Sequence, residues 1–162
     1  MPTVGYQPQA PTRVSDCRTD RMLVGRAHVE LFAFGRIVVV PAGIGIAKGR
    51  REGAYVLGGS CRARLWTHEP TGVLELGSSG LRLGDLFAVW GQPLGRDGML
   101  GFHAPVRVWL DGKAWRAPPA SAPLAHRAQI VVQAGRPLAP VHRTYVFPPA
   151  GAIPAQQRAP VR

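Results

Sequence analysis

Apolar and polar positions alternate with period two along most of this chain and follow a helical period in one place only. Over residues 28–34, His28, Glu30 and Phe32 fall on one side of an extended strand, and Val29, Leu31 and Ala33 on the other. Residues 37–40 form a second β-rich run after Gly35-Arg36, which predicts a short hairpin ended by Pro41. Residues 62–66 and 73–76 predict another strand pair around the turn His68-Glu69-Pro70-Thr71-Gly72. Leu83, Leu86, Phe87 and Trp90 recur at i, i+3, i+4 and i+7, one apolar face of a helix, with Gly91 suited to its C-terminal cap. Residues 106–110 and 113–115 flank Asp111-Gly112, the strongest hairpin signal in the chain, and residues 128–133 predict a last strand stopped by Gly135.

The order hairpin, hairpin, helix, hairpin, strand predicts an α+β fold that is mostly β. It is an antiparallel or mixed sheet of short strands with one short helix, β-grasp-like in arrangement, with a small open barrel as the alternative. The glycine-rich stretch 42–59 is read as a surface loop. Gly43, Gly45 and Gly49 resemble a phosphate cradle, but no helix follows to supply free N–H groups. Residues 1–26 read as an irregular leader, 27–147 as a single globular domain and 148–162 as a flexible tail.

Composition supports one folded domain: 162 residues, 46% hydrophobic, with 20 Gly and 16 Pro that break long helices. The formal charge of +11 raises nucleic acid or an anionic surface as partners. Its cations are almost all Arg and are scattered, Arg50-Arg51 being the one adjacent pair, which reads as a solvated basic face. The most apolar stretch, 31–47, is interrupted by Arg36, Pro41 and three glycines and does not predict a membrane span. Residues 1–21 carry no apolar signal-peptide core and read, taken literally, as cytoplasmic. Cys17 and Cys61 lack Cys-x-x-Cys spacing; they are either one disulfide in an oxidising compartment or two inert thiols in a reducing one.

Of five histidines, His103, His126 and His142 have no partner nearby in sequence and read as structural. His28 has Glu30 on its own strand face, and His68 has Glu69 beside it and Glu75 across the hairpin. Imidazole nitrogen with carboxylate oxygen suits a divalent transition metal, so His28, His68, Glu69 and Glu75 are the candidate ligands. Neither cysteine has a nearby His, no Gly-x-Ser-x-Gly elbow is present, and no carboxylate pair suggests glycoside hydrolysis. The residues point away from an enzyme.

Several runs together resemble a family of small, uncharacterised bacterial and archaeal domains that are usually exported or membrane-anchored. They are Cys17, Ala27 to Leu31, Pro41-Ala42-Gly43-Ile44-Gly45, Cys61, Leu65 to Glu69, Leu83-Gly84 with Phe87 and Trp90-Gly91, Val106 to Lys113, and Tyr145 to Pro148. The resemblance covers roughly residues 17–149. Its members carry His-x-His-x-x-Leu, then Leu-His-Thr-His-Asp-x-x-Gly-x-x-His, which implies a metal site, and two cysteines, which imply a disulfide. Here Arg26 stands at the first strand histidine, Trp66 at the first histidine of the turn, and Glu75 at the histidine after the glycine. His28 and His68 remain, with Glu69 in place of the acid. The expectation is a non-enzymatic, extracytoplasmic-type β-rich domain with a degenerate metal site. The alternatives are a basic nucleic-acid or anionic-surface binder and a structural or protein-interaction module.

Overall fold

The computed structural model describes residues 6, 8–10 and 14–149. Fourteen short elements follow one another. The first six are strands: β1 (Gly25–Ala33), β2 (Arg36–Val38), β3 (Ile46–Glu52), β4 (Tyr55–Arg62), β5 (Leu65–Trp66) and β6 (Val73–Leu76). Helix α1 (Leu83–Trp90) comes next, then β7 (Leu94–Gly95), β8 (Gly98–Met99), β9 (Phe102–His103), β10 (Val106–Leu110) and β11 (Lys113–Trp115). A 3₁₀ turn (Pro119–Ser121) leads to β12 (Gln129–Ala134).

The main sheet runs β11-β10-β12-β1-β6-β5, with β2 also on β1. Its two longest members, β1 and β12, lie parallel at the centre, and hairpins extend it on both sides. The sheet is mixed and open, not a closed barrel, in an α+β fold that is mostly β, as the alternation of hairpins and helix predicts. Strand β1 shares one edge between two partners, β6 along residues 25–28 and β2 along 31–33.

The two faces of β1 separate as the period-two pattern requires. Ala27, Val29, Leu31 and Ala33 turn inward with Ile130 and Val132 of β12, against Leu83, Leu86, Phe87 and Trp90 of α1. That helix ends at Gly91 in the left-handed region, φ 77°, whose N–H and that of Gln92 bond back to Ala88 and Phe87. Asp85 starts it by accepting the Arg82 N–H at 2.7 Å.

One expectation is overturned. Residues 42–59 are not a surface loop: most of them belong to the β3–β4 hairpin, and residues 41–46 are buried. Glycines hid the strand alternation there. Gly45 is demanded by packing, since its φ is +72° and a Cβ would run into the Leu65 carbonyl. The hairpin sits outside the main sheet on its own small core of Ala42, Ile46, Val56 and Trp66. A disulfide between Cys17 and Cys61, Cα atoms 5.4 Å apart, joins it to the segment before β1.

Sequence also sets the first turn one residue late. The β1–β2 loop is Phe34-Gly35, φ 51° and 78°, the twist a two-residue hairpin needs. Beyond β12, residues 136–149 leave the sheet and cross its outer face.

Candidate functional site

The outer face carries nearly every buried polar side chain: His28, Glu75, Gln129 and Gln133, each 7% exposed or less. Buried polar groups need partners, and here they divide into two clusters along β1.

The first cluster is a cross-strand row. Arg26 faces Glu75 on β6, and Glu75 faces Trp66 on β5. The Arg26 Nε reaches Glu75 Oε1 at 3.0 Å and Oε2 at 2.8 Å, with the two side chains only 15% and 9% exposed. Trp66 donates its indole N–H to His68 Nε2 at 3.3 Å, while His68 Nδ1 bonds the Val56 carbonyl at 2.9 Å. Since a carbonyl only accepts, the proton sits on Nδ1, and Nε2 is left to accept from Trp66. His68, Glu69 and Glu75 line one cavity of about 230 Å³ together with Arg26 and Arg62, whose guanidinium lies 5.2 Å from the centre of the Trp66 ring.

The second cluster lies further along β1. His28 is 4% exposed, with Nε2 2.8 Å from the Thr71 carbonyl and Nδ1 2.6 Å from Gln129 Oε1. Gln129 is oriented by its own amide, which donates to Glu30 Oε1 at 2.7 Å. His142 closes the chain, its Nδ1 2.9 Å from Glu30 Oε2. The Tyr145 ring stacks on His28 at 3.5 Å between centroids and 7° between planes. Burial, then the carboxylates of Glu69 and Glu30, hold the Tyr145 phenol above its ordinary range. These contacts fasten residues 136–149 to the sheet, along with two bonds between the Gln133 amide and Ala139 and one from Arg26 to the Pro148 carbonyl.

Of the four candidate metal ligands, the structure brings His68, Glu69 and Glu75 to one cavity and leaves His28 in the wall of another. Both His28 ring nitrogens face oxygen atoms, both His68 nitrogens are engaged, and Glu75 is held by Arg26. Among the described residues no three His, Cys, Asp or Glu side chains converge as an ion site. Sequence reasoning misses His142, which pairs with Glu30 across 112 residues, and Gln129, which links Glu30 to His28. No local spacing signals either contact.

No protein-family model, curated protein or solved structure matches this chain. No helix among the described residues is long and apolar enough to cross a membrane.

Proposed function

We propose that this is a non-catalytic, disulfide-stapled domain of extracytoplasmic type that has exchanged a transition-metal site for a salt bridge. The Arg26–Glu75 pair carries the reading. In the family that the chain resembles, positions 26, 66 and 75 are histidines. Here those positions form one row across β1, β6 and β5, and Arg, Trp and Glu occupy them in a mutually satisfied set. Replacing two neutral metal ligands by an acid and a base keeps a buried site electrically balanced without an ion. His28 and His68 remain of the family's histidines; His28 is held by Gln129 and Thr71, and the free lone pair of His68 accepts the Trp66 N–H.

Groups suited to acid–base chemistry are similarly committed. Glu30 holds Gln129 and His142, and Asp85 holds Arg64 and the start of α1. The disulfide fits an oxidising compartment. The domain then acts by presenting a rigid surface to a ligand or partner.

Metal analysis of untagged protein tests this. After incubation with zinc or copper and desalting, the wild type is expected to retain no stoichiometric metal. The Arg26→His/Trp66→His/Glu75→His variant is expected to retain it. Near-stoichiometric metal on the wild type, lost in His28→Ala/His68→Ala, would overturn the proposal whether or not the triple variant folds.

A further inference from the structure

A cavity of about 470 Å³ lies on the outer face, between β1, the segment after β2 and the crossing chain 142–146. This is the size range of small-ligand sites. Phe32, Ile37, Tyr145 and the buried His28 line it, and Glu30 and His142 are among its polar groups. We infer that this cavity binds a small organic cation with an apolar body, with Glu30 as counter-ion and His142 as a displaceable cap.

Four observations support the assignment, none depending on the fate of the metal site. The protein carries +11 overall, yet among the described residues no Lys or Arg lines this cavity and Glu30 is its single acid. Glu30 is only 19% exposed and anchored from behind by Gln129, so its carboxylate is fixed while oxygen lone pairs stay open to a second donor. Burial first, and then the carboxylates of Glu69 and Glu30, keep the Tyr145 phenol beside the cavity neutral. Finally, Glu30 already holds a nitrogen donor from the cavity side, the imidazole of His142, which is 63% exposed and belongs to no strand or helix. The intramolecular contact shows the geometry in which an ammonium would sit, with Phe32 and Ile37 beside it to shed water from an alkyl or aryl body. Ile37, 57% exposed, leaves the entrance open and apolar.

The test is an NMR titration of the full chain with 2-phenylethylamine, using 2-phenylethanol as the uncharged control of the same shape. Saturable shifts are expected at Ile37, Tyr145 and Phe32, with the alcohol weaker by about tenfold or more, the loss of one charge-assisted bond. Glu30→Gln, which preserves size and the bond from Gln129, should weaken the amine by a similar factor. His142→Ala, on the exposed crossing segment, should tighten it by removing the internal competitor. Equal binding of amine and alcohol, indifference to Glu30→Gln, weaker binding in His142→Ala, or shifts lying elsewhere on the surface would each overturn the assignment.

Discussion

Arg26 and Glu75 illustrate how much a single buried contact constrains its neighbours. A guanidinium and a carboxylate that are 15% and 9% exposed are stable together only because each desolvated charge faces the other. Glu75→Ala should therefore destabilise by about 2–4 kcal/mol, because it strands Arg26 among Trp66 and His68. Arg26→Met/Glu75→Leu removes both charges and should cost much less. Denaturant midpoints of the two variants check this, and a double variant as unstable as the single one would refute the account. Tyr145 supplies the pH-dependent counterpart. Its phenol is kept neutral in the fold by burial first and then by Glu69 and Glu30. The folded chain thus holds that proton more tightly than the unfolded chain. The stabilisation is fully present below the ordinary tyrosine range of about pH 10 and is lost as pH rises through the folded value. The stability difference between wild type and Tyr145→Phe should be flat at neutral pH and fall at alkaline pH. A pH-independent difference would contradict it.

At the level of elements, α1 and the β10–β11 hairpin form where local chemistry agrees with tertiary demand. Leu83, Leu86, Phe87 and Trp90 are all buried, and Asp111-Gly112 adopts the positive φ values its hairpin requires. The β3–β4 hairpin is different. It lies outside the main sheet, exchanges backbone bonds with Arg18 through Arg62, rests on four buried side chains, and is tied down by the Cys17–Cys61 bridge. Closing a chain separation of 44 residues limits the unfolded ensemble by about 4 kcal/mol in the loop-entropy picture. Reduction, or Cys17→Ser/Cys61→Ser, should lower stability by an amount of that order. Hydrogen exchange should rise first in residues 46–62. Uniform loss of protection across β1 and β12 as well would show that the bridge supports the whole sheet instead.

For the molecule as a whole, the sheet has two faces with different rules. The inner face obeys the hydrophobic pattern and packs α1. The outer face is polar at His28, Glu30, Gln129 and Gln133 and would expose a wet row of strands, were it not covered by residues 136–149. Gly72 marks how closely the start of β6 approaches β1 within the sheet: its φ is +81°, and a Cβ there would meet the Val29 carbonyl. The crossing chain closes one cavity against Glu30 and Phe32 and a second against Glu75 and Trp66, and both candidate functions belong to that covered face.

Sequence alone determined the α+β class, the helix to the residue, the hairpin at Asp111-Gly112 and the division of β1 into two faces, because each rests on periodicity or turn chemistry within a dozen residues. It also singled out His28, His68, Glu69 and Glu75, of which the fold buries His28 and Glu75 and engages both nitrogens of His68, but not the buried Gln129 and Gln133. Which of them meet was decided only by tertiary structure. Strand register sets Arg26 against Glu75 across 49 residues, and the returning chain brings His142 to Glu30 across 112, distances over which no local pattern carries information. The β3–β4 hairpin escaped notice for the same reason: its glycines serve close backbone approaches made by distant segments, and in isolation such glycines read as a loop.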